Sequence, residues 1–191
     1  MRDIMKLGII LMVYALVAGG ALAFVNIKTD PLIIKNRIAE ENNARAEILP
    51  VMAGGYEEKN EGSDFPYWIG YRDAGKKEIG GYVFIALGTG YSSVISAMVG
   101  VDPGGKIIGV KVLSQQETPG LGAKVVEIRH GESDPWFTRQ FSGKTVQDDI
   151  KVKKDGGTID SITGATISSR AVTNSINAGL KKLMGIVGGA S

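Results

Sequence analysis

One stretch near the start constrains this chain more than any other: from Leu7 to Ile27, LGIILMVYALVAGGALAFVNI, there is no charged side chain. As an α-helix it would reach roughly 30 Å, the thickness of a bilayer's hydrocarbon core. Two readings compete. Arg2 and Lys6, the apolar run and Ala21-Leu22-Ala23 also match a secretory signal with its small-residue cleavage site. Signal cores run only ~7–15 residues, so the length favours a retained membrane anchor. Basic residues flank the run on both sides, Arg2 and Lys6 before it and Lys28, Lys35, Arg37 and Arg45 after it. Charge asymmetry therefore leaves the orientation open.

The remainder has the charge density of a water-soluble domain, and the whole chain, with 22 basic and 20 acidic residues, has a formal net charge of +2. Without a dense basic run, nucleic acid is not expected as a partner. There is no cysteine, which excludes a disulfide scaffold, thiolate-bound zinc and cysteine-ligated clusters. The single histidine, His130, excludes a multi-histidine metal site, and no metal ligand set is expected. His130 lies in a polar stretch and reads as a surface residue.

Behind the apolar run, Thr29-Asp30-Pro31 reads as a helix start, with Asp30 as N-cap and Pro31 at the first helical position. Leu32, Ile33, Ile38, Ile48 and Leu49 then recur at rough helical spacing up to Pro50, as a stalk or a surface helix. Lys77–Leu87, Val94–Val101 and Lys106–Leu113 are rich in β-branched and aromatic residues and read as strands. Asp73-Ala74-Gly75 and Asp102-Pro103-Gly104-Gly105 are their hairpin turns. Ser133-Asp134-Pro135 reads as a helix start ahead of Trp136 and Phe137, which read as core. Lys151–Lys153 is a further candidate strand before the turn at Asp155-Gly156-Gly157. Val172, Ile176, Leu180, Leu183 and Met184 share one face of a last helix beginning near Ser168 or Ser169. The expected fold class is α+β: a single N-terminal transmembrane helix, then an antiparallel sheet with helices on one side. The expected divisions are 1–27 anchor, 28–74 stalk and linker, 75–184 ligand-binding domain and 185–191 flexible tail.

Three short segments could carry chemistry. Asp160-Ser161-Ile162-Thr163-Gly164-Ala165-Thr166-Ile167-Ser168-Ser169 sets five hydroxyls just before the last helix. Helix N-termini leave backbone N–H groups unpaired and carry partial positive charge, so a phosphate is stabilised there, and hydroxyls would add donors. The same composition also suits an ordinary N-cap. It is not a P-loop, since no lysine follows at the required spacing. Glu117-Thr118-Pro119-Gly120-Leu121-Gly122 would let backbone approach a flat ligand, or simply end a strand. Gly88-Thr89-Gly90-Tyr91 is a third glycine cluster, with Tyr91 a candidate ring contact. Lys76-Lys77 and Lys151 to Lys154 read as solvated turns.

Asp-x-x-Thr-Gly-Ala-Thr at 160–166, preceded by Glu-Thr-Pro-Gly-Leu-Gly at 117–122, resembles the FMN-binding domain family. With one N-terminal apolar span and this length, the chain resembles the G subunits of Rnf-type ion-translocating electron transport complexes (ferredoxin:NAD oxidoreductases). The C subunits of sodium-pumping NADH:quinone oxidoreductases are the related alternative. The resemblance implies covalent FMN, esterified through its phosphate to Thr166. Asp160, Thr163, Gly164 and Ala165 would form the surrounding recognition sequence, with Ser168 and Ser169 behind them. Thr118 and Leu121 would face the isoalloxazine ring, with Glu117, Gly120 and Gly122 shaping that wall. A threonine hydroxyl is a poor nucleophile without an adjacent base, so a separate flavin transferase is expected. The resemblance further implies other membrane subunits as partners, and a soluble domain on the extracytoplasmic side of the cell inner membrane. It also implies an oxidoreductase role as part of a translocase, with no net turnover by the isolated chain. Two other classes remain: an anchored binding module without redox function, and a serine hydrolase using Ser168 or Ser169. The lone, distant His130 makes the hydrolase a poor fit.

Overall fold

The computed structural model describes residues 2–50, 52–59 and 65–188. Helix α1, Arg2–Ile48, is followed by strands β1 (Tyr56–Lys59), β2 (Tyr67–Tyr71), β3 (Ile79–Thr89), β4 (Val94–Val101) and β5 (Ile107–Ser114). Two further helices follow, the single turn α2 (Trp136–Arg139) and the long α3 (Thr166–Val187). The chain divides into two compact units, one up to Glu41 and one from Asn42.

In the first unit α1 runs through Pro31 without a break, so the helix start expected at Asp30 is absent. The proline removes one donor, but helix on both sides spares a costly new nucleus. Asp30 caps nothing: its carboxylate accepts Asn26 Nδ2 at 3.2 Å, while Thr29 Oγ1 donates back to the Val25 carbonyl at 3.0 Å. This helix is long and apolar enough to cross a membrane, and none of its apolar window is buried within the chain.

The second unit holds the sheet. All neighbours pair antiparallel in the order β1-β2-β3-β4-β5, so each strand turns back on the one before. The two aspartate turns form as expected: Asp73 Oδ1 accepts the amides of Lys77 and Glu78, and Asp102 Oδ1 accepts that of Lys106. β1 and β2 fall inside the 28–74 segment, so the sheet begins well before residue 75.

Side chains of a strand alternate between faces, and here both faces are covered. Tyr82, Phe84 and Ala86 point into the main core with Ile95, Val99, Phe137, Ile159, Ile162, Val172, Ile176 and Leu180. Val83 and Met98 point the other way, onto Trp68, Ala44, Ile48 and Leu49. The end of α1 and the residue after it thus cover the second face, where helices on one side only were expected. This explains why β3 and β4 read as nearly continuous apolar runs. α3 lies directly on β3. A Cβ on Gly88 would sit 2.3 Å from the Ala171 carbonyl oxygen, so any side chain there would lift the helix away.

Lys151–Lys153 forms only an isolated parallel bridge, Val152 to Ile159. α3 begins at Thr166, ahead of the expected start, and continues to Val187, so the first residues of the presumed tail are helical. Residues 189–191 lie outside the described residues.

Candidate functional site

The β5 exit, the β3–β4 loop and the start of α3 converge on one buried carboxylate. Glu117 is 6% exposed, and its Oε1 accepts the amides of Ser92 and Ser93, each at 2.9 Å. Its Oε2 accepts the Tyr91 amide at 3.2 Å and the Ser168 hydroxyl at 2.6 Å. Burial pushes the carboxyl pKa upward, but the donors from Ser168, Ser92, Ser93 and Tyr91 outweigh it, and the net shift is downward. Glu117 is therefore an ionised clamp joining three segments distant in sequence. The glycines beside it are small for that reason. A Cβ on Gly122 would lie 2.5 Å from Glu117 Oε2 and 2.6 Å from Ser168 Oγ, and one on Gly90 2.5 Å from Glu117 Oε1.

The clamp holds open a cleft of about 460 Å³, of the size that takes a cofactor-sized ligand. On one wall stand Thr118, Leu121 and Tyr91; on the other, Gly164, Ala165, Thr166 and Ile167 at the start of α3. Leu121, Tyr91 and Ile167 are exposed apolar side chains around this opening. Gly120, with φ +78°, makes the turn in which the Leu121 amide bonds the Thr118 carbonyl.

The other end of the cleft is polar. α3 starts from Ala165 with no side-chain cap, so the ordinary-cap reading of this Ser/Thr-rich segment does not hold. Its first amides have no intrahelical acceptor and face the cleft end with the positive pole of the helix. Thr166 is half-buried there, and Lys154 Nζ donates to its Oγ1 at 2.9 Å. Lys154, read from sequence as part of a solvated turn, lines the cleft.

Most of the sequence-predicted residues are thus brought together: Tyr91, Glu117, Thr118, Leu121, Gly122, Gly164, Ala165, Thr166 and Ser168 all line the cleft. Others are not. Ser169 faces inward, its hydroxyl donating to the Ala165 carbonyl and accepting the Ile162 amide. The Ser168 hydroxyl is likewise engaged with Glu117. Extra hydroxyl donors toward a ligand were expected from both serines; both instead brace the helix start. Asp160 pairs with Lys153 at 2.9 Å and, with Thr163, lines a separate polar cleft beside Lys124, Arg129 and Trp136. Lys154 and Ile167 are the lining residues that sequence reasoning missed. His130 is exposed, and Phe137 is fully buried in the core. Among the described residues no group of three or more His, Asp or Glu side chains could hold a metal ion.

The FMN-binding domain family matches residues 90–181, which include both walls of this cleft. The G subunit of the ion-translocating oxidoreductase complex of Shewanella piezotolerans is 34% identical over 92% of this chain and 87% of its own length. The protein of the same name from Pseudomonas aeruginosa is 31% identical over 94% of this chain and 88% of its own. Among solved structures, the C subunit of the Na⁺-translocating NADH-quinone reductase from Parabacteroides distasonis superposes with a TM-score of 0.50 at 25% identity. That match spans 64% of this chain and 62% of the other. Sequence identity over nearly the full length, the FMN-binding domain match and the shared fold agree: the chain belongs to the family of G subunits of ion-translocating oxidoreductase complexes.

Proposed function

We propose that this chain is a membrane-anchored electron carrier holding FMN by a phosphoester to Thr166, within an Rnf-type complex that couples electron transfer between ferredoxin and NAD to ion movement. The observation that carries the reading is the uncapped start of α3, with the Thr166 hydroxyl at the polar end of a cleft whose rim is apolar. Those residues suit FMN, which has one anionic end and one flat aromatic end. The phosphate would lie at the α3 amides beside Thr166, and the ring against Leu121, Thr118 and Tyr91.

When bound, the isoalloxazine ring supplies the electron transfer. The residues of this chain supply position and surroundings. Glu117 fixes the Tyr91–Ser93 loop to α3, so both walls keep their spacing. Leu121 and Ile167, exposed apolar side chains lining the cleft, would shield a bound ring from water, and the open side of the cleft would leave it accessible to a partner. No side chain here takes part in bond-making with a substrate, and the isolated chain carries out no net turnover.

The other membrane subunits are partners through the Leu7–Ile27 span, and the second unit lies on the extracytoplasmic side of the inner membrane. A covalent tether keeps the cofactor from being lost there, and a flavin transferase installs it. The alternative, that of the C subunits of sodium-pumping NADH:quinone oxidoreductases, shares the fold, but the relatives matched over nearly full length are G subunits.

The test is a denaturing gel viewed under ultraviolet light after expression with the transferase. The wild-type band fluoresces and Thr166→Ala is dark. A dark wild-type band returns the chain to an anchored binding module; a fluorescent Thr166→Ala moves the attachment elsewhere.

A further inference from the structure

Lys153-Lys154-Asp155 forms a single 3-10 turn that lies against the start of α3. Its two outer members are tied down. Lys153 Nζ holds Asp160 at 2.9 Å, and the Asp155 carboxylate takes Arg170 Nε at 2.7 Å and Nη2 at 2.5 Å. Arg170 lies one helical turn beyond Thr166, on the same face of α3. The paired fork therefore sets the 3-10 turn directly over Thr166 and directs the middle residue, Lys154, onto Thr166 Oγ1.

Among the described residues no carboxylate lies within ion-pair distance of Lys154. An ammonium resting on a neutral hydroxyl gains little against the entropy of ordering a lysine side chain. The arrangement makes sense once an anion is present. A phosphodiester carries about one negative charge, and a helix N-terminus offers only about half a positive one. One further cation completes the balance, and Lys154 is already within hydrogen-bond reach of the ester oxygen.

We infer that Lys154 is the phosphate-binding side chain of this site, braced from either side by the Lys153–Asp160 and Asp155–Arg170 pairs. The inference rests on Thr166 being the attachment residue. It assigns a role that the 160–166 motif does not contain, to a residue twelve positions upstream of Thr166.

The experiment uses the full chain, in detergent, loaded with the flavin transferase and FAD. Wild type, Lys154→Ala and Lys154→Arg are followed by intact mass for the rate of loading. The loaded proteins are then compared by ³¹P NMR of the tethered phosphate. Lys154 is exposed, so the variants keep the wild-type circular dichroism spectrum. Lys154→Ala loads about tenfold more slowly, the worth of one charge-assisted hydrogen bond, and its phosphorus resonance moves. Lys154→Arg retains most of the rate and a resonance near that of wild type. An unchanged resonance in Lys154→Ala overturns the inference whatever the loading rate, because slow loading alone would mean that the transferase reads Lys154. If the wild-type chain itself takes up no flavin, the attachment reading fails first and this inference falls with it.

Discussion

Glu117 and Ser168, 51 residues apart in the chain, share a hydrogen bond of 2.6 Å that fastens the strand-exit loop to the start of α3. Both are almost fully buried, and the same carboxylate also receives three backbone amides. Removing it leaves the buried Ser168 hydroxyl and three part-buried amides without this partner. Glu117→Ala is therefore expected to destabilise the fold by about 3 kcal/mol. Glu117→Gln, which keeps one acceptor oxygen, costs less. Chemical denaturation of both variants checks the order.

The same carboxylate gives a pH dependence with a defined sign. Its pKa in the folded chain lies below the ordinary 4.5. Its contribution to stability is then complete above 4.5 and is lost as pH falls through the lowered value. The thermal midpoint of the wild type is expected to drop as pH falls below 4.5 and through the lowered pKa. In Glu117→Gln that part of the drop is missing, which a pair of melting curves at each pH measures.

Gly122 faces the Glu117–Ser168 bond with no room for a side chain, a Cβ falling within 2.6 Å of both partners. Gly122→Ala pushes the clamp apart and costs about 2 kcal/mol through overpacking and a lost hydrogen bond. Flavin loading is expected to fall with it, because the two walls of the cleft lose their common anchor. Ordinary stability and loading in Gly122→Ala would show that the clamp is not needed for either.

Ile48 anchors the apolar cluster on the second face of the sheet, together with Leu49, Trp68, Val83 and Met98. Ile48→Ala leaves a cavity there and is expected to cost about 3 kcal/mol. A chain shortened to begin at Lys28 keeps this contact and is expected to fold without detergent. One shortened to begin at Pro50 loses the cluster and unfolds more readily. Hydrogen exchange on the two fragments distinguishes them.

Different parts of this molecule were legible in the sequence to different degrees. β3, β4 and β5 stand out through Val, Ile and Phe at strand spacing, and the buried stripe from Val172 to Leu183 was plain as one helix face. β1 was not, because Tyr56-Glu57-Glu58-Lys59 is short and charged and is held by pairing with β2 rather than by its own propensity. Asp30-Pro31 misled because its cap chemistry is local, whereas helix on both sides carries α1 through. At the site, Thr166, Leu121 and Thr118 could be grouped only through the resemblance of their motifs to the FMN-binding domain family. Lys154 could not, since a lysine in a glycine-rich turn reads as solvated until the Asp155–Arg170 pair reveals what lies beneath it. Asp160 was grouped with the site by its motif, yet its charge is taken by Lys153 and it lines the neighbouring polar cleft.

The most direct measurement is the mass of the tryptic peptide from Asp155 to Arg170, recovered from the full chain expressed with the flavin transferase. Fragmentation should place one FMN, less one water, on Thr166. The unmodified peptide as the main product, or the added mass on Thr163 or Ser168, would contradict the account.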